Sequence, residues 1–267
     1  MQNNKQLLEF FKSNKIFLQP FKEIFSNLHN LNDFAITADF FNKLSSNFFL
    51  NKNSFDGFQC IDQKKKEKDF YKKYDALVFR EKKIPIRKNV VHDYFNALTW
   101  LAFPSSKKKL NKKNYSLLEH NYLNGNKNRP RNIDLTTLLD ESGIIILTKD
   151  SYLASLIEEK KWKTVFWDNR NIVKKSFRFF LFGHSLFEKI MNEYIGTAAR
   201  ALIIFNESFQ LEKITISNVD QILSDYIDQD SFFKNLEKTV TVPLFAIPGW
   251  GSFNDKEKFY QGNEYLR

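Results

Sequence analysis

A chain of 267 residues with 42% hydrophobic residues and 29 phenylalanines has the apolar mass for a packed core, which excludes global disorder. One cysteine, Cys60, excludes an intrachain disulfide and a thiolate zinc centre, and no apolar run reaches the roughly 18 residues of a membrane-spanning helix. The net charge of +10 is concentrated: residues 61–131 hold 19 Lys and Arg against 7 Asp and Glu, and the rest of the chain holds 22 against 24.

In chain order, the opening MQNNKQLLEFFKSNKIFLQPF scatters charge through its length and lacks the form of a signal peptide, so a cytoplasmic protein is expected. Residues 1–50 read as a helical region, with Leu7, Leu8 and Phe11, then Phe34, Ile36, Phe40, Phe41 and Leu44, at helical spacing and Pro20 breaking the first run. Residues 51–267 read as one α+β domain, forming one compact unit with the helical region. A short strand is expected near 57–61, a helix over 69–80, and an extended Ile84-Pro85-Ile86-Arg87, because Pro85 pushes its predecessor out of the helical region. Asn89 is the expected N-cap of a helix over 90–103, ended by Pro104. A weak helix and a loop at 124–126 fill the basic stretch 107–131. Residues 135–148 predict a β-hairpin, with Asp140-Glu141-Ser142-Gly143 as its turn. A helix capped by Asp150 or Ser151, a strand over 163–167, an ambiguous 177–182, a helix over 185–194, an ambiguous 198–205, a helix over 217–227 and an irregular tail complete the reading.

Chemistry-bearing residues gather in two places. On a helix at about 100° per residue, Val91, Phe95, Leu98 and Ala102 share an arc of about 60°, a core stripe, while His92, Asp93 and Asn96 project from one flank. That flank can hold a metal-bound water or a phosphate oxygen, and it is also what an ordinary amphipathic helix with one histidine looks like. Further on, His184 and Glu188 stand one turn apart, a spacing that suits a divalent metal or an acid–base pair and equally a local ion pair. Arg178, set among phenylalanines, needs an anion, either a carboxylate of the protein or a ligand. The adjacent acids Asp140 and Glu141 are metal donors or plain turn residues. Walker, dinucleotide-binding, nucleophile-elbow and kinase signatures are missing.

The ordered set Ile-Pro-Ile-Arg (84–87), His-Asp-x-Phe-Asn-Ala-Leu-x-Trp-x-x-Phe-Pro (92–104), Lys107, Asn111, Asp-Glu-x-Gly (140–143), Phe-Trp (166–167), Arg-Phe-x-Leu-Phe-Gly-His (178–184), Glu188, Ala-Arg-Ala (199–201) and Ile-Pro-Gly-Trp (247–250) resembles a bacterial, mostly proteobacterial, family known as a domain of unknown function. The resemblance runs from about residue 55 to 267 and implies no activity, cofactor or partner. His92, Asn96, Trp100 and Asn111 also resemble the spacing of His-metal finger nucleases, which implies a water-activating histidine and a positioning asparagine. In those nucleases the histidine ends a strand, whereas here His92 and Asn96 share a helix.

Two readings stand side by side. One is a hydrolase of phosphoesters or nucleic acid with His92, Asp93, Asn96, His184 and Glu188 in its site. A divalent metal on His92, Asp93, His184 or Glu188 and an anion clamp of Arg87, Lys107 and Arg178 would complete it. The other is a non-catalytic binding or adaptor protein whose basic segment 61–131 meets nucleic acid, another polyanion or an acidic partner. In that reading the runs Lys64-Lys65-Lys66 and Lys107-Lys108-Lys109 are either the contact surface or a solvated lysine-rich face, in a chain whose Lys, Asn, Phe and Ile content also suits an A/T-rich genome.

Overall fold

A computed structural model describes residues 2–13, 15–22, 24, 36–49, 57–63, 68–126, 128–192, 194–261 and 266; Phe34 and the run Lys64-Lys65-Lys66 lie outside them. The architecture is the mixed α+β one expected, gathered into two units from interleaved stretches. The first takes residues 1–12, 21–137 and 216–233, and the second takes 13–20, 138–215 and 234–267. No helix among the described residues is long and apolar enough to cross a membrane.

The first unit is mostly helical. Helices α1 (Gln2–Lys12) and α2 (Ala38–Phe49) bury Leu7, Phe11, Phe40, Phe41 and Leu44 of the expected periodic set, and Phe10 beside them. Strands β1 (Gln59–Asp62) and β2 (Lys83–Ile86) pair in parallel, joined by α3 (Tyr74–Glu81). Helix α4 (Val91–Ala102) supplies the centre of the core. The Tyr94 ring lies 5.2 Å from Phe41, 5.6 Å from Phe95 and 5.8 Å from Phe11, a cluster in which truncating one ring leaves a cavity. The expected cap is displaced by one residue: Val90 is the N-cap, and Asn89 adopts φ 60° with its N–H bonded to Ile36 O.

Pro104 does end α4, but it also opens α5 (Pro104–Leu123), a 20-residue helix where only a weak one is expected. Lysine is a good helix former, and the helix start is capped from far along the chain. Buried Asp220 on α10 (Ile216–Asp228) accepts Ser105 N at 2.9 Å and Ser106 N at 2.8 Å. No window of local sequence contains that cap.

The second unit holds a four-stranded sheet in the order β4 (Phe177–Leu181), β3 (Gly143–Thr148), β5 (Ala198–Phe205), β6 (Val240–Pro243), with β3 and β5 parallel and the other pairs antiparallel. Every residue of Gly143-Ile-Ile-Ile-Leu-Thr148 is buried, as a central strand requires. Both ambiguous runs, 177–182 and 198–205, resolve as strands. The expected β-hairpin over 135–148 does not form: residues 135–139 belong to helix α6 (Arg131–Ser142), and β3 alone is strand. Ile133, Thr136 and Leu139 are buried at a spacing of three, a helical face, and Asp140 and Glu141 sit in its last turn instead of a hairpin tip. Gly143 turns helix into strand with no loop; a Cβ there would stand 2.3 Å from Leu139 O.

The strand expected over 163–167 is likewise helical. Trp162 and Phe166 stack one turn apart with planes 5° from parallel, and Thr164–Asp168 forms a π-type turn closed by Asn169 N on Thr164 O. Helix α7 (Ser151–Glu158), capped by Asp150 Oδ1 on Leu153 N, follows its expected place, α8 (Arg170–Ser176) is an additional helix, and α9 (His184–Met191) again lies where expected. After α11 (Phe232–Glu237) and β6, the tail is ordered by short 3-10 turns. Buried Asn254 donates to Phe245 O and Ile247 O, and Trp250 packs on Phe17 and Phe179.

Candidate binding site

The first sequence cluster comes together within the first unit, on itself. Arg87 closes a bidentate pair on Asp93, with Nε at 2.9 Å from Oδ2 and Nη2 at 2.7 Å from Oδ1, and its own backbone N–H adds a third bond to Oδ2 at 2.7 Å. The hydrogen bond to Asp93 raises the Arg87 pKa above its ordinary value. Asp93 is 8% exposed, so both carboxylate oxygens are committed in a confined place. Arg87, expected to clamp an anion, already has one. His92 is half-buried on the same helix.

Asn96 is spent on both sides. Its Oδ1 accepts from Lys107 Nζ at 3.0 Å and its Nδ2 donates to Tyr74 Oη at 3.0 Å. Trp100 Nε1 donates to the same Tyr74 oxygen at 2.9 Å, and the Lys107 ammonium lies 5.5 Å from the Trp100 ring centre. Lys107 is 3% exposed, so it belongs to this buried network and not to a solvent-facing clamp. One turn on, Asn111 Nδ2 donates to Asp75 O at 3.1 Å and approaches Asp75 Oδ1 at 3.3 Å. Asn96, Trp100 and Asn111 therefore converge on two consecutive residues at the start of α3, Tyr74 and Asp75.

Tyr74 and Asp75 are wall residues of a cavity of about 350 Å³. The rest of the wall is Phe70, Lys73 and Ala76 on one side, Tyr115, Leu118, Asn121 and Tyr122 on α5, and Asn126, Asn128 and Arg129 beyond it. Every lining residue falls in 70–129, inside the basic segment. The volume suits a small ligand or one unit of a polymer. Sequence reading passes over this site because Phe70 and Tyr74 look like the apolar face of one short helix. In the structure, Phe70 belongs to a separate 3-10 turn, Phe70–Lys72, set off by an Asp69 cap.

The basic runs divide in the same way. Lys109 bridges to Asp228 and lies 3.9 Å from Asp225, Lys113 sits over the Phe232 and Phe233 rings, and Lys108 sits over Phe58. Lys107, Lys108 and Lys109 therefore each have a partner within the first unit. By contrast, the Lys72 and Lys73 side chains are exposed and make no bond among the described residues.

The second sequence cluster lies in the second unit. His184 opens α9, is 4% exposed, and has Nδ1 3.8 Å from Asp140 Oδ2, an ion-pair distance too long for a hydrogen bond. Asp140 on α6 is thus a carboxylate beside this histidine, in addition to Glu188, which is half-buried on α9 itself. The backbones meet here as well. Gly183 N donates to Gly143 O at 2.8 Å, and a Cβ on Gly183 would fall 2.4 Å from Gly143 N, so both motif glycines are required by a chain crossing. Arg178 donates to neutral backbone carbonyls in place of a carboxylate: Nη1 meets Phe177 O at 2.7 Å and Lys174 O at 3.0 Å, at the partly negative C-terminal end of α8. A second cavity, of about 480 Å³, lies against Trp250 and Phe253, outside the basic segment and with Lys15 its one cationic lining residue.

Among the described residues no three His, Cys, Asp or Glu side chains stand close enough together to hold a metal ion. Asp93 is closed by Arg87 within the first unit, and His184 and Glu188 lie in the second unit. Residues 58–267 match the profile of a family described as proteins of unknown function, DUF3025. The chain belongs to the DUF3025 family. Both clusters and the cavity wall fall wholly inside the matched region. No curated protein and no solved structure matches the chain.

Proposed function

We propose that the protein is a non-catalytic, cytoplasmic binding protein whose basic segment 61–131 grips an anionic polymer at the cavity beside α3 and α5. The observation that carries this reading is the convergence of Asn96, Trp100 and Asn111 on Tyr74 and Asp75, because a rigid wall is what a binding cavity needs. The uncommitted ammonium group of Lys73, a wall residue, supplies charge there, and exposed Lys72 precedes it in the chain. A hydrolase of phosphoesters draws less support, since Asp93 and Asn96 use their polar atoms on Arg87, Tyr74 and Lys107.

The test is binding of a labelled heparin oligosaccharide and a labelled single-stranded oligonucleotide by the full chain across a salt series. Binding is expected at low salt and should weaken steeply as counterions compete. Lys72→Glu with Lys73→Glu should shallow the salt dependence. No binding of either polyanion at low salt would remove the proposal.

A further inference from the structure

The cavity has a feature that charge capture alone does not require. Phe70 and Tyr122 stack face to face, with centroids 4.4 Å apart and planes 5° from parallel. Tyr71 stands edge-on to both, at 5.1 and 5.9 Å, and the Arg80 guanidinium lies 4.5 Å over the Tyr71 ring. Packed aromatic clusters are ordinary in a core, but this one reaches the surface: Tyr122 is 51% exposed at the last turn of α5. An aromatic ring left partly open at the rim of a cavity is surface that a bound ring can cover.

Beside the stack, hydrogen-bonding groups stand uncommitted. Asn121 Nδ2 ties down the loop by donating to Asn126 O at 3.2 Å and Asn128 O at 2.8 Å. The side-chain amides of Asn126 and Asn128 themselves carry no bond among the described residues. An amide offers a donor and an acceptor side by side, the complement of a heterocycle edge. Lys73 places a cation at the same wall, and the acid there, Asp75, is engaged by Asn111. Arg129 is occupied by Asp134 and Thr137, so among the described wall residues Lys73 is the available charge, with exposed Lys72 next to it in sequence.

Resting on the binding reading above, we infer that the cavity takes one base of a single-stranded nucleic acid, stacked on the Phe70–Tyr122 pair, with the flanking phosphates on Lys72 and Lys73. Aromatic platforms beside basic groups bind single strands because every base has a π-face, and the stacked base is extruded from a duplex only at a cost. An acidic peptide would use the lysines but would leave the platform uncovered. A double-stranded polymer would keep its bases out of a cavity of about 350 Å³.

The experiment compares two single-stranded oligomers of equal charge, one with bases and one abasic, in deoxyribose and ribose forms. Each is titrated against the full chain, Tyr122→Ala and Tyr122→Phe. Wild type should prefer the base-bearing oligomer. Tyr122→Ala should weaken that oligomer roughly 5- to 150-fold, the usual worth of one stacked base, and leave the abasic one unchanged. Tyr122→Phe keeps the ring and should bind like wild type, which separates stacking from any general effect on α5. The two sugar forms report which kind of single strand is preferred. Equal binding of base-bearing and abasic oligomers, or poly-glutamate bound as tightly as either, overturns the base pocket while the polyanion reading stands. Failure of every polyanion overturns both.

Discussion

The two ends of α5 draw on the same basic stretch of sequence and use it in opposite ways. At the N-terminal end, Lys107 donates to Asn96, Lys108 and Lys113 lie over aromatic rings, and Lys109 bridges to acids of α10, while Asp220 caps the first turn. At the C-terminal end, Tyr115 and Tyr122 line a cavity with Lys73, whose side chain, like that of Lys72, makes no bond among the described residues. A run of three consecutive lysines is the louder signal in the sequence, yet it is the structural one. Charge density marks a region; whether each charge is spent is decided by what the fold brings opposite it.

The scaffold side of that contrast breaks hardest. Phe95→Ala on α4 should cost about 3–5 kcal/mol in chemical denaturation, because the ring is fully buried and leaves a cavity. His92→Ala, half-buried on the flank of the same helix, should cost at most about 1–2 kcal/mol. Equal losses would make His92 a core residue. Asp220→Ala should cost about 2–4 kcal/mol, since it leaves the Ser105 and Ser106 N–H groups without their acceptors at a helix start. A loss below about 0.5 kcal/mol would show that α5 does not depend on its distant cap.

The cavity side should move binding and leave the fold intact. Lys72→Glu with Lys73→Glu should change the melting temperature little, both side chains being exposed, and should reduce the slope of log affinity against log salt by about 1–2. Lys109→Ala should leave that slope unchanged, because its partners are Asp225 and Asp228.

A separate effect is one of pH. Burial pushes the Cys60 thiol from 9.0 up to about 12, so above pH 9 the unfolded chain loses that proton while the folded chain keeps it. Stability should therefore fall from pH 9 towards 12, by at most about 1.4 kcal/mol per pH unit from this group. Cys60→Ala removes that part of the fall. Tyr260, raised from 10.0 to about 12 chiefly by burial, adds its own loss only from pH 10 upward. Identical profiles for wild type and Cys60→Ala between pH 8 and 10 would contradict the burial of the thiol.

Much of the fold is legible in the sequence where periodicity is strong. The stripes on α1, α4 and α10 and the apolar run of β3 appear where expected. The misread segments share a cause. Residues 135–139 and 163–167 are short and rich in residues that also suit strands, and their burial at spacings of three and four becomes decisive only when the flanking turns are included.

The site is legible as a set of residues but not as a site. Asn96, Trp100, Lys107 and Asn111 stand in one motif, and sequence spacing assigns them to chemistry. Lys107 meets Asn96 within the motif, but the partners of Asn96, Trp100 and Asn111, namely Tyr74 and Asp75, lie 22 or more residues earlier and look like one more helix face. A polar residue on a helix flank reads the same whether it meets substrate or braces a wall, because the difference lies in a contact distant in sequence.

Hydrogen–deuterium exchange of the full chain, with and without saturating heparin oligosaccharide at low salt, tests the central claim most directly. Slowed exchange is expected over residues 70–76 and 115–122, with no change over 104–113 at the other end of the same helix. Slowing confined to 104–113, or slowing nowhere in 61–131, would contradict the assignment of the cavity as the place where the basic segment binds.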